Sequence, residues 1–220
     1  MTTRPWPSIV GLVLVAGWSV SAAAADGVAV GEEAPNFTLT DVEEQARSLS
    51  EFEGRFVVLE WLNHDCPFVR KHYGSGNMQQ LQRTYTARGV VWLSINSSAP
   101  GKQGHLTAQE GRRLTREKDA VPTAVLLDPS GTVGQRYGAK TTPQLFIINP
   151  DGIVIYTGAI DDKPSTRPAD LAGATNYVQA ALEEALAGRP ISTPSTTSYG
   201  CSVKYAEERG GASWLKRLFQ

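Results

Sequence analysis

The chain has 220 residues, with 21 Lys and Arg against 22 Asp and Glu, and a formal charge of −1 at pH 7. That balance offers no basic stripe for nucleic acid and no acidic block of the kind that keeps a chain disordered. Two cysteines in a chain this long also exclude a disulfide scaffold.

Residues 1–25 read as a processing signal. Arg4 supplies a positive charge, and "IVGLVLVAGWSV" supplies an apolar run of about a dozen residues, the length of a signal-peptide core rather than a membrane span. "SAAAAD" offers small residues in A-x-A spacing, so the expectation is a signal peptide cleaved near Ala25 and a protein exported to the periplasm or beyond. The alternative is an uncleaved anchor helix. Roughly 195 residues remain, enough for one domain with its own core. That domain is expected over 26–189, followed by a C-terminal extension over 190–220.

In chain order, "RFVVLEWL" (55–62) is almost continuously apolar and rich in valine, as suits a strand buried on both faces. "VVWLSIN" (90–96), "TAVLLD" (123–128) and "QLFIIN" (144–149) have the same character. "GIVIYTG" (152–158) follows the turn signal "NPDG", which predicts a closing hairpin. Pro67 to Tyr73 can open a helix, since proline at the first helical position forfeits no needed donor. "GSG" (74–76) should kink or break it, and Met78, Leu81 and Tyr85 then repeat at helical spacing. Residues 106–120 predict a polar-faced helix, and 169–188 a long one ended by Gly188 and Pro190. This order predicts an α/β sandwich around a mixed sheet. After Pro190, "ISTPSTTSYG" reads as an extended connector. "WLKRLFQ" reads as a short terminal helix on the body, with membrane-surface contact as its alternative.

Several segments in order resemble the thioredoxin-like superfamily over roughly residues 30–188. "APNFTLTDVEEQARSLSEFEGRFVVLEWL" is similar to the start of redoxin domains of the alkyl-hydroperoxide-reductase/thiol-specific-antioxidant type. "CPFVR" stands where exported thioredoxin-like reductases carry a CPxCR-type motif. "GAKTTPQLFIINPDG" resembles the segment that carries the family's cis proline. The resemblance implies a central mixed sheet with helices on both faces, a cis Pro143, and a Thr142 backbone edge presented to a disulfide partner. It departs from its models in ways that bear on function. A dithiol thioredoxin has a cysteine where this chain has Val69. Peroxiredoxins have threonine or serine where Asn63 stands, proline where Leu59 stands, and arginine where Pro143 stands.

Cys66 is the expected reactive residue, a helix cap ahead of Pro67 that faces free backbone N–H groups and the positive end of the helix dipole. Arg70 lies one turn on, and Lys71 and His72 add charge. Together these are expected to favour the thiolate, the nucleophilic form of cysteine. Cys201, in "YGCSVKY", is the candidate resolving residue, able to attack a mixed disulfide or sulfenic acid on Cys66. A permanent Cys66–Cys201 bond is the structural alternative, and a buried inert Cys66 the plainest one.

The candidate catalytic set is therefore Cys66, Cys201, Pro143, Thr142, Pro67 and Arg70, with a protein thiol or disulfide as redox partner and no cofactor. A soft metal site of His64, Cys66 and His72, with copper the best match, is a weaker reading. Trp61 and Trp92 read as core. The function expected is exported thiol–disulfide exchange. A peroxiredoxin-like thiol peroxidase, and a non-catalytic module binding a partner or copper, are the alternatives.

Overall fold

The computed structural model describes residues 27–207. The expected signal peptide and the "WLKRLFQ" terminus lie outside the described residues.

The chain opens with an antiparallel pair, β1 (Thr38–Asp41) and β2 (Ala46–Ser48). Asp41 shapes their turn, its Oδ1 accepting from the backbone N–H groups of Glu43 at 2.9 Å and Gln45 at 2.8 Å. Next come β3 (Val57–Trp61), α1 (Pro67–Gly74), α2 (Asn77–Thr86) and β4 (Val91–Asn96). Then follow α3 (Ala108–Glu117), β5 (Ala124–Leu127), α4 (Thr132–Tyr137) and the short β6 (Thr141–Thr142). The domain closes with β7 (Gln144–Ile148), β8 (Val154–Gly158) and α5 (Tyr177–Leu186), and the tail adds β9 (Cys201–Ser202).

Seven strands form one mixed sheet in the order β2-β1-β5-β4-β3-β7-β8. β3, β4 and β5 run parallel, while β7 lies antiparallel to β3, with Leu59 opposite Phe146. Alternation along β3 divides the core in two, because successive side chains leave a strand on opposite faces. Val57, Leu59 and Trp61 join Phe37, Tyr137 and Phe146 on one face. Val58 joins Val69, Met78, Tyr85, Val178 and Leu182 on the other, beneath α1, α2 and α5. Trp61 and Trp92 are fully buried. Each fully buried large apolar side chain contributes roughly 1.5–3 kcal/mol, so the central strands anchor the domain.

Four elements differ from the sequence reading. The β1–β2 pair and α4 carry no strong apolar period and were not anticipated. The helix expected over 169–188 is a 3₁₀ turn at Pro168–Gly173 followed by the shorter α5. Two side chains cause the break: Asp162 Oδ1 draws off the Thr175 N–H at 2.9 Å, and Asn176 caps the Gln179 N–H at 2.8 Å.

The tail is held more closely than the extended connector expected. It runs along β8, where Thr157 N–H donates to Pro194 O at 3.1 Å and Thr196 N–H returns a bond to Thr157 O at 3.1 Å. It then crosses to β6, and finally Tyr205 donates to Ala139 O at 2.7 Å. Gly158 makes room for this course, since a Cβ there would sit 2.2 Å from Thr196 Oγ1.

Candidate active site

Cys66 sits past the carboxyl end of β3 and caps α1. Its backbone is extended, at φ −72° and ψ 125°, and Pro67 takes the first helical position. Asn63 builds the turn that leads there. Its carbonyl accepts from Cys66 N–H at 3.0 Å, its side-chain oxygen accepts from Asp65 N–H at 2.8 Å, and its amide donates to Gln103 O at 3.3 Å. The Cys66 carbonyl then accepts the first helical bond, from Arg70 N–H at 2.9 Å.

The second wall is the segment before β7. The Thr142–Pro143 peptide is cis, and Thr142 O lies 3.1 Å from Cys66 Sγ. β9 pairs antiparallel with β6, setting Cys201 opposite Thr142 and Ser202 opposite Thr141. Gly200 permits this approach. At φ +129°, a Cβ there would fall 2.0 Å from Thr142 O. The two cysteine sulfurs end 2.8 Å apart, both as free thiols. Closing an S–S bond of about 2.05 Å would bring them together by less than about 1 Å.

Electrostatics separate the two thiols. Burial raises the pKa of Cys66, but the Cys201 thiol, the backbone N–H groups of Val69 and Cys201, and the Thr142 side chain all bond its charged form and bring it below the ordinary thiol value. Burial, the bond to Cys66 and the charge of Cys66 push Cys201 up to about 11, against smaller pulls from Lys204 and Arg70. Cys66 is thus the favoured thiolate and Cys201 the favoured thiol. Cys66 is also fully buried, whereas Cys201 is half-buried. Ionisation favours reaction at Cys66, and the tail denies access to it.

The cations beside Cys66 in sequence do not act as expected. Arg70 folds back onto the loop, donating to Asp65 O at 2.9 Å and His64 O at 3.3 Å. Lys71 and His72 turn to the far side of α1, where both are fully buried near Asp161. His72 has both ring nitrogens engaged, Nδ1 with Asn77 at 2.9 Å and Nε2 with Tyr199 at 3.2 Å. It therefore cannot join His64 and Cys66 around a metal as the weaker reading required. Among the described residues no group of three or more His, Cys, Asp or Glu side chains is disposed to hold an ion.

The structure adds residues that the sequence did not single out. Glu60 is fully buried, and it accepts from Tyr73 at 2.8 Å, Trp92 Nε1 at 2.8 Å and Ser94 at 2.9 Å. Burial raises its pKa. The polar cluster of Lys71, His72, Asp161 and Tyr199 was likewise missed. A cavity of about 490 Å³ lies at the opposite end of β3, between Leu49, Phe52, Ile148 and Pro150. A second, of about 340 Å³, borders the Cys66 loop at His64, Asp65 and Arg70.

The AhpC/TSA family profile matches residues 30–157, more than half of the chain. A protein of Halalkalibacterium halodurans named thiol-disulfide oxidoreductase ResA is 29% identical over 135 residues, spanning 60% of this chain and 71% of that one. An uncharacterized conserved protein of Geobacillus kaustophilus superposes with a TM-score of 0.73 at 27% identity, over 82% of this chain and 94% of that one. A putative thiol:disulfide interchange protein DsbE from Chlorobium tepidum does so with a TM-score of 0.53 at 25% identity, over 74% and 98%. The fold is thioredoxin-like, a mixed sheet with helices on both faces.

Proposed function

The chain belongs to the AhpC/TSA family, and we propose that it is an exported thiol–disulfide oxidoreductase in which Cys66 is the nucleophile and Cys201 the resolving cysteine. The observation that carries this reading is the 2.8 Å approach of the two sulfurs beside the cis proline. Relatives named thiol-disulfide oxidoreductase support the reaction class. Export is supported by the signal-peptide pattern over 1–25.

In the reducing direction the Cys66 thiolate attacks one sulfur of a partner disulfide. A Cys66–partner bond forms, the partner's S–S bond breaks, and the second partner sulfur leaves as a thiolate. The negative charge of Cys66, one of the forces that hold Cys201 protonated, is gone at that moment. Cys201 then ionises more readily and attacks Cys66 Sγ. The Cys66–Cys201 disulfide forms, the partner's first sulfur departs, and two electrons have passed to the partner. Thr142 and Pro143 line the approach, Pro67 starts the helix that Cys66 caps, and Arg70 holds the loop carbonyls of His64 and Asp65. Oxidation of a partner dithiol is the same sequence reversed.

The test is trapping. After reaction with a disulfide-containing peptide, Cys201→Ser is expected to retain a mixed disulfide on Cys66, and Cys66→Ser to lose turnover. Full turnover by Cys66→Ser would exclude this mechanism and favour a non-catalytic binding module.

A further inference from the structure

Two residues before Cys201, Tyr199 sends its hydroxyl into a cluster of titratable side chains that the exchange mechanism leaves unused. Lys71 and His72 from α1 and Asp161 from the loop after β8 are all at most 2% exposed. The Tyr199 hydroxyl donates to Asp161 Oδ1 at 2.5 Å. Lys71 Nζ donates to Lys163 O at 2.8 Å and lies 3.4 Å from both Asp161 Oδ2 and the Tyr199 oxygen. The tyrosine ring also packs against Phe68, with centroids 5.7 Å apart.

The hydrogen-bond directions interlock. The Asn77 amide nitrogen can only donate, so His72 Nδ1, 2.9 Å away, accepts and the neutral ring carries its proton on Nε2. That proton points to the Tyr199 oxygen at 3.2 Å, whose own proton goes to Asp161. One hydroxyl at the centre satisfies imidazole, ammonium and carboxylate at once. A buried ion pair repays its desolvation only when its remaining hydrogen bonds are met, and here the tail supplies one of them.

Spacing links the cluster to the thiols. Only Gly200, a bend at φ +129°, separates Tyr199 from Cys201, so seating the phenol fixes where the sulfur can lie. A slip of one residue would put Gly200 or Ser198 at the cluster and carry the sulfur about one residue's length along the chain from Cys66.

We propose that Lys71, His72 and Asp161 form a phenol-binding socket whose ligand is Tyr199, and that this socket fixes the register in which the tail presents Cys201 and covers Cys66. The role given to Cys201 rests on the redox reading above, but the covering of buried Cys66 does not. Tyr199 is thus a positioning residue. Docking is also tied to protonation. Burial lowers the pKa of His72 to about 4, with Asp161 pulling it up and Lys71 pushing it down. The other charges beside the socket are Asp162 and Lys163, and Asp170, which acts on Lys71. Release of the tail hydrates His72 and returns it toward its ordinary value, so the released state takes up a proton and acid favours release.

The experiment measures alkylation of Cys66 in the reduced full-length protein, alongside the Cys66–Cys201 equilibrium against glutathione. Tyr199→Phe is expected to speed Cys66 alkylation by roughly tenfold or more, the effect of losing a hydrogen bond to charged partners. Tyr205→Phe, which alters the tail's other tyrosine anchor, is expected to do much less. His72→Gln keeps an N–H for the phenol but cannot titrate. Comparing its alkylation rate with wild type cancels the ionisation of Cys66. Between pH 7 and pH 5 wild type should gain on this variant by on the order of tenfold. Unchanged alkylation in Tyr199→Phe, an equal effect of Tyr205→Phe, or a constant wild-type to His72→Gln ratio would each overturn the socket. Faster alkylation in Tyr199→Phe from a protein that never forms the disulfide would instead sink the redox pair and leave the socket standing.

Discussion

Cys201 is the strand partner of Thr142, the residue before the cis proline, and this pairing holds its sulfur against Cys66. The chain thereby uses its own tail to occupy the backbone edge that the family resemblance assigns to a disulfide partner. On the proposed reading, reactivity at Cys66 is governed by two things, the ionisation of the thiol and the lifting of residues 195–205.

Gly200→Ala separates the two. Its φ of +129° and a Cβ position 2.0 Å from Thr142 O leave no room for a side chain while β9 is paired. The strain is on the order of 1–3 kcal/mol before the clash is counted. The tail is expected to leave β6, Cys66 to alkylate at least roughly tenfold faster, and the rest of the domain to keep its thermal midpoint. Alkylation at the wild-type rate would mean that the tail does not gate Cys66.

The acid limb of stability should be steep. Burial, then Lys118, lowers the pKa of His64 to about 4 against the pull of Asp65, and His72 is held to about 4 as well. Both are depressed from about 6.5, so the unfolded chain binds more protons than the fold between pH 6.5 and 4. Stability is therefore full above about pH 6.5 and falls as pH drops toward 4, by up to about 3 kcal/mol for each group. Denaturant midpoints from pH 7 to pH 4 check this, and a flat profile contradicts it.

Hydrogen peroxide should be a poor substrate. The Asn63 side chain is committed to Asp65 N–H and Gln103 O, and Pro143 has no N–H to offer. Missing preorganised donors typically cost about 10²–10³ in rate apiece. Stopped-flow oxidation of Cys66 at the speed of dedicated peroxidases would restore the peroxidase reading.

Much of the fold was legible because its central strands are buried on both faces. β3, β4, β5 and β7 announce themselves as nearly continuous apolar runs, and Pro67 after Cys66 marks the start of α1. The β1–β2 pair is short and partly exposed, and its turn is set by the Asp41 side chain rather than by a period. The order of the tail was hidden for a similar reason. Its anchors are strand pairings and single hydroxyls of Thr196, Tyr199 and Tyr205, which leave no repeat. Helix geometry places Lys71 and His72 away from Cys66. They follow Cys66 by five and six residues, which at 100° per residue is about 140° and 240° around the helix. Neither can share a face with the cap.

The most direct measurement of the central claim is the number of free thiols, with intact mass, after equilibration in glutathione buffers of graded potential. Both thiols should disappear together in one reversible transition lying above about −300 mV, leaving no glutathione adduct. A protein that keeps both thiols in the most oxidising buffer, or whose Cys66–Cys201 bond survives far below about −300 mV, would contradict a reversible redox pair.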